Sequence, residues 1–332
     1  KIISFVEGRQ FLVPMASGQG HVIIPIFLLF SFAPYYITLA ESIDLGGSLQ
    51  TNEKDGTLSG SNPFQLNRRM KTDGKGNTIS HYAMWHTEPG KFYGLRAEMS
   101  IWGSPNQENS QDSGSAIQIY CQEGEHYSLI EAGFHVSPSL YHNRDVRFFT
   151  YTTRDTKSAG CYNLQCPGFV PARGAALVPG QAISPPSIYG QADHYARLSL
   201  NKAPPVVLDP NSGDWVVYRH DLDSPSFLGH FPGQLCPGES RIQALTGFVN
   251  YLKNTHGPPM GSGQFPDDED DKRSAYFKHI KIYDANGHAR DPITTRMIKL
   301  VDRPDCYKET DFTVIINRGY IFYYGGPNGC IG

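Results

Sequence analysis

From His81 onward the chain divides into short runs, four to ten residues long, in which apolar positions either cluster or alternate with polar ones. The runs His81–His86, Tyr93–Trp102, Ser115–Cys121, Tyr127–Val136 and Val146–Thr152 come first. Tyr195–Leu200, Trp215–Tyr218, Ile242–Tyr251, Ala275–Tyr283, Phe312–Ile316 and Tyr320–Tyr324 follow. Aromatic and β-branched residues dominate them, and turn residues punctuate the gaps, which is the signature of β-strands. Helical periodicity is scarce, and no unit of 20–50 residues repeats, so a solenoid or propeller is excluded. The pattern predicts an all-β domain over residues 81–332: an antiparallel sandwich of two packed, curved sheets.

Two runs say more than the others. Period-2 alternation in Tyr127–Val136 places Ile130, Ala132, Phe134 and Val136 on a core-like face. Tyr127, Leu129, Glu131, Gly133 and His135 lie on the opposite face, with a carboxylate at the centre of a mixed aromatic and polar surface. In Ile242–Tyr251, Leu245, Val249 and Tyr251 share one face, while Ile242, Thr246, Phe248 and Asn250 share the other. Phe248 therefore falls on the more polar side, where an aromatic ring is less expected.

Composition narrows the function classes. The 332 residues are 39% hydrophobic and 12% aromatic, enough for a substantial core, and 34 Gly with 24 Pro favour many tight turns. A net charge of −3 provides no field for nucleic acid or anionic lipid, and the pairs Arg68–Arg69 and Lys272–Arg273 are too short to form a basic patch. Six cysteines without a C-x-x-C spacing argue against structural zinc, and no metal or other cofactor is called for. They fit disulfides in an exported chain, although six cysteines can pair in 15 ways. The acidic run Asp267–Asp271 reads as a solvated loop rather than a Ca²⁺ site, because consecutive acids do not present alternate ligands around an ion.

The N-terminal region points to export. After Met15 and a polar stretch, the apolar run Val22–Ala40 ends in Thr38-Leu39-Ala40, with a small residue where a signal peptidase requires one. Residues 15–40 thus read as a signal peptide, in preference to a membrane anchor or buried strands. Pro25 and Pro34 oppose a stable spanning helix, and no stable membrane insertion is expected. Residues 1–14 read as an upstream translated segment and residues 41–80, polar and turn-rich, as a linker or arm.

Several strings resemble the plant neprosin family of glutamic peptidases, and they occur in that family's order. The clearest is Gly160-Cys161-Tyr162-Asn163-Leu164-Gln165-Cys166-Pro167-Gly168-Phe169-Val170. Ile130-Glu131-Ala132-Gly133-Phe134-His135-Val136, Met260-Gly261-Ser262-Gly263-Gln264-Phe265-Pro266 and Tyr323-Tyr324-Gly325-Gly326-Pro327 are others. The resemblance covers about residues 80–332. It implies a secreted sandwich, extracellular, vacuolar or in the cell wall, with a groove for peptide or protein ligands and cleavage next to proline at acidic pH. It implies the disulfides Cys161–Cys166 and Cys306–Cys330, leaving Cys121 and Cys236 to pair or remain thiols. Residues 41–80 do not resemble the family's activation propeptide.

The chemistry implied is a pair of carboxyl groups, one ionised to deprotonate water and one protonated to donate to the scissile amide. The resemblance places the first on Glu131. At the second position the chain reads Leu245-Thr246-Gly247-Phe248-Val249, so Phe248, which cannot exchange a proton, stands in place of the acid. Tyr127, His135, Thr246 and Asn250 are candidate groove residues. A strand Glu without such context is ordinarily a solvated surface residue, His135 reads equally well as a satisfied surface histidine, and Phe248 as a plain apolar filler. The sequence thus predicts a peptidase homologue with little or no activity that retains a groove for proline-containing peptides. An active acid prolyl endopeptidase using Glu131 with a second, unrecognised acid and a structural extracellular protein are the alternatives.

Overall fold

The computed structural model describes Phe64 and residues 78–332, apart from 157, 159, 204–212 and 267–268. The expected signal segment, and the arm up to residue 77 except Phe64, lie outside the described residues. The chain runs through β1 (Thr78–Thr87), β2 (Gly94–Ser100), β3 (Gln111–Glu123), β4 (His126–Val136) and β5 (Arg147–Thr153). Two short strands, β6 (Cys161–Tyr162) and β7 (Val170–Pro171), precede β8 (Tyr195–Lys202), β9 (Trp215–Arg219) and β10 (Ser226–Phe231). The long β11 (Glu239–Leu252) and β12 (Ala275–Tyr283) are followed by β13 (Ala289–Arg290) and β14 (Met297–Val301). The last are β15 (Lys308–Glu309), β16 (Thr313–Ile315) and β17 (Gly319–Gly325). Pairing gives one sheet in the order β14-β1-β11-β3-β4-β5-β6 and a second in the order β15-β17-β12-β2-β8-β9-β10-β7, with β13 beside β12 and β16 beside β17. The strand pairs within these sheets are antiparallel.

The main core lies between the sheets. Ile117, Ile119, Ile130, Phe134, Phe148, Leu245 and Val249 project from the first sheet, and Leu95, Met99, Leu198, Leu200, Val217, Phe277 and Phe322 from the second. These are the apolar sets that alternation assigned to the inner faces of β4 and β11. Each such side chain, taken fully out of water, stabilises the fold by about 1.5–3 kcal/mol before conformational entropy is subtracted. The unexpected feature is the other face of the first sheet. Tyr82, Met84, Ala116, Tyr120, Leu129, Phe149, Tyr151, Ile242, Ala244 and Phe248 form a second buried cluster there. The central strands are therefore buried on both sides, and the face expected to be a mixed surface is an interior one. Phe64 contributes to this cover: its ring lies 4.6 Å from that of His86 and meets Tyr120 edge-on at 5.4 Å.

Strand boundaries differ from expectation at places with local causes. The sheet begins at Thr78, three residues before the expected domain start, because Thr78–Ser80 pair with Asn250–Leu252. The strand β10 shifts register between Phe227 and Gly229, whose φ of 142° is open to glycine and not to ordinary side chains, so its alternation is broken.

Three disulfides close the structure: Cys121–Cys236, Cys161–Cys166 and Cys306–Cys330. The first ties β3 to the loop before β11 across 115 residues. Among the described residues no helix is long and apolar enough to cross a membrane.

Two predictions follow from these elements. A bridge restricts the unfolded chain more when its loop is longer, by about 4–5 kcal/mol at 100 residues against roughly 3 at 15. Replacing Cys121 and Cys236 together by Ser is therefore expected to lower the urea midpoint further than replacing Cys161 and Cys166, whose separation is five. Glu309 on β15 provides a pH signature. Burial raises its carboxyl to about 9, with the Lys299 ammonium and the Leu300 backbone N–H opposing the shift. Between the unfolded value of about 4.3 and that raised value the folded chain holds a proton the unfolded chain has released, so this group's contribution to stability falls as pH rises. Glu309→Gln should remove that loss, and urea midpoints at about pH 5 and about pH 8 should converge relative to wild type.

Candidate active site on the first sheet

The register of four strands sets the site. In the middle of β4, Glu131 stands opposite Gln118 of β3 and Tyr151 of β5, and Gln118 stands opposite Ala244 of β11. Its side chain takes the same face as the aromatic cluster and is fully buried, as is that of Gln118. A carboxyl group at this depth needs hydrogen bonds in place of water. Gln118 Nε2 donates to Glu131 Oε2 at 2.7 Å. The orientation of that amide is fixed from its other end, because Gln118 Oε1 accepts from Tyr120 Oη at 3.0 Å and from Thr246 Oγ1 at 2.8 Å. Two hydroxyls hold the amide oxygen, and the amide nitrogen is thereby aimed at the carboxylate.

One turn of the pleat away on the same face lies a second polar row. His135 Nε2 is 2.8 Å from Tyr141 Oη, and Asn163 Nδ2 donates to the same oxygen at 2.9 Å. His135 Nδ1 is 3.1 Å from Asp112 Oδ1, an ion-pair distance whose angle is not that of a hydrogen bond. Asn250 Nδ2 donates to Asp112 Oδ2 at 3.1 Å, and Ser80 Oγ donates to Asn250 Oδ1 at 2.6 Å. The His135 ring stacks on Phe149 with centroids 4.1 Å apart. Burial raises the Tyr141 hydroxyl well above the usual phenol range, against the hydrogen bond from Asn163, so it stays protonated.

Phe248 belongs to the row nearer His135. It pairs with Tyr82 and Gly114, and its ring meets Phe149 edge-on at 5.9 Å. Along the sheet it is four residues and two strands from Glu131, about 17 Å between Cα atoms if the sheet were flat. Gly133 separates Glu131 from His135, and a Cβ there would meet the Ser115 carbonyl oxygen at 2.0 Å, so glycine permits the close approach of β4 to β3.

The candidate residues therefore sort into two groups. Thr246 joins Glu131 through Gln118. His135 and Asn250 join the separate Asp112 network. Tyr127 is half-buried at the margin of the aromatic cluster. All but Tyr127 are interior, which corrects the expectation of a mixed aromatic and polar surface. Gln118, Asp112 and Tyr141 were not singled out from sequence. The signal for Gln118 was an amide between Ile117 and Ile119, at the parity that places it on the Glu131 face. Among the described residues no group of three or more His, Cys, Asp or Glu could hold a metal ion.

Comparison with known proteins gives the family to which the chain belongs. The Neprosin family model matches residues 110–327, more than half of the chain, and the protein belongs to the neprosin family. Scytalido-glutamic peptidase, solved with a peptide-based transition-state analogue, aligns at a TM-score of 0.39 with 7% identity, over 75% of this chain and 99% of that one. SCP-B, a member of the eqolisin family of peptidases solved with the tripeptide Ala-Ile-His, aligns at a TM-score of 0.38 with 8% identity, over 74% and 98% of the two chains.

The hydrogen bonds around Gln118 predict a stability effect. Gln118→Leu keeps the volume but removes a partner from Glu131, Tyr120 and Thr246 at once. Stranding buried polar groups costs about 1–3 kcal/mol each, so a loss of at least about 2 kcal/mol in urea unfolding is expected, larger than for Thr246→Val.

Proposed function

We propose that the protein is a secreted neprosin-fold, peptide-binding protein with little or no glutamic-peptidase activity. Glu131 is the surviving acid of the family pair, and proline-containing segments are the ligand class. The observation that carries this reading is the setting of Phe248. Its ring is fully buried against Tyr82 and Phe149, at the position where the family resemblance places the second acid. A phenyl ring can neither donate to a leaving nitrogen nor take a proton from water, and loss of one member of an acid–base pair forfeits about 10²–10⁴ in rate. The group bonded to Glu131 Oε2 is a carboxamide, which donates a hydrogen bond but does not titrate. The aromatic cluster is interior, so a proline-containing ligand would meet it at its margin, where Tyr127 and Tyr162 are half-buried, and a rigid polyproline turn would limit the entropy lost on binding there. Three disulfides fit an oxidising compartment.

A second reading has its own observation. The Gln118 amide, held by two hydroxyls, could stabilise the oxyanion formed when Glu131 acts as general base on a water. That arrangement would give a slow acid peptidase.

A cleavage assay with proline-containing peptides at acidic pH separates the two. Wild type is expected to bind without appreciable turnover, and Phe248→Glu to raise kcat/KM by about 10² or more. Efficient wild-type cleavage abolished by Glu131→Gln would overturn the binding-protein reading. Cleavage lost equally in Glu131→Gln and Gln118→Leu would favour the amide-assisted peptidase.

A further inference from the structure

A cleft of about 510 Å³ opens at one end of the sandwich, away from the Glu131 face. Three loops line it: residues 103–111 leading into β3, 256–263 after β11, and 328–329 after β17. Its volume is in the range of small-molecule sites. Gln111, at the mouth, is seven residues from Gln118 along β3, about 24 Å of extended chain. The Met260–Gly263 string singled out in the sequence forms one wall, and the Glu131 chemistry has no use for it.

What is already bonded in the cleft decides what it can hold. The backbone around it is largely spent on the protein itself. Gly257 N donates to Cys330 O at 2.6 Å, Gly329 N to Gly257 O at 2.9 Å and Met260 N to Gly326 O at 3.0 Å. The carbonyls of His256 and Pro259 accept from Gln111 Nε2 at 2.8 Å and Ser113 Oγ at 2.7 Å. An extended peptide seeking a backbone ladder finds few partners there. Side chains remain. The exposed Asn106, Glu108 and Asn328 make no side-chain hydrogen bond among the described residues, and the buried Ser262 Oγ has none either. No Lys or Arg lines the cleft, and the Glu108 carboxylate repels an anion, so phosphates and acidic sugars are disfavoured. Pro105, Pro258 and Pro259 supply flat apolar walls beside glycines that carry no side chain.

Exposed amides and a carboxylate beside apolar proline walls match a ligand whose groups both donate and accept along an otherwise C–H-rich ring. We propose that this cleft binds a short neutral oligosaccharide, with Asn106, Glu108 and Asn328 as its polar contacts. The site is independent of the peptide-binding reading and of Glu131.

Calorimetric titration of the full chain with cellotriose, xylotriose and mannotriose tests it, with trigalacturonate and a proline-rich peptide as comparison ligands. Saturable binding of at least one neutral trisaccharide is expected. The double variant Asn106→Ala, Asn328→Ala, at exposed positions that leave the fold intact, should weaken it about tenfold or more, the equivalent of one to two hydrogen bonds. Glu131→Gln should leave it unchanged. Failure of all three trisaccharides to saturate the wild type, unchanged sugar affinity in the double variant, or a double variant that loses peptide instead of sugar would each overturn the proposal.

Discussion

The structure is organised around a carboxyl group that has no water to lean on. Glu131 sits in the interior of a sheet, and its Oε2 atom takes a hydrogen bond from Gln118, whose own oxygen is pinned by Tyr120 and Thr246. That chain of bonds spans β11, β3 and β4, so the register of three strands and the placement of one carboxylate are a single constraint. A slip of one residue in either pairing would turn Gln118 toward the apolar core between the sheets, leaving an unsatisfied amide and taking from Glu131 the hydrogen bond to its Oε2 atom.

Rows of side chains on this face divide its labour. The Glu131 row is polar at the centre and aromatic at its edge, with Tyr151 on the neighbouring strand. The row containing Phe248 runs from Tyr82 to His135, and His135 is engaged by Asp112 and Tyr141. An acid at position 248 would therefore have stood between phenyl and phenol rings and near the Asp112 carboxylate, with both desolvation and like charge favouring its protonated form. That is the condition a general acid requires, and it is costly to the fold. A phenyl ring there removes the cost and adds apolar burial, at the expense of the proton.

The alternation of β4 and β11 was legible because period 2 survives whatever a face packs against: Ile130, Phe134, Leu245 and Val249 turn inward as their parity dictates. What parity cannot tell is whether the opposite face is wet. The face around Glu131 is assembled from strands far apart in sequence, so its burial is a tertiary fact with no local signature. Short strands escaped for similar reasons. β14, Met297–Val301, carries Lys299, whose ammonium reaches the Glu309 carbonyl oxygen at 2.7 Å and makes an otherwise apolar run look interrupted. Cys121–Cys236 could not be read from spacing, because its partners meet only after β3 and the approach to β11 are paired. Family resemblance pointed to Glu131 and Phe248 as candidate positions but was silent about Gln118, which only the cross-strand register reveals.

Burial gives the fold a pH signature of its own. Glu309, raised to about 9, keeps its proton, so its contribution to stability grows as pH falls from about 9 toward about 4.3 and is constant below that. Ion pairs at 2.8–3.1 Å join Arg219 to Asp221 and Lys278 to Glu98 and Asp271. Three disulfides add stability that does not titrate at all. Glu309 and the cross-links are set apart from the row that holds Glu131 and Gln118, so the stability they confer is separable from whatever chemistry that row performs, and a substitution at position 248 leaves it standing.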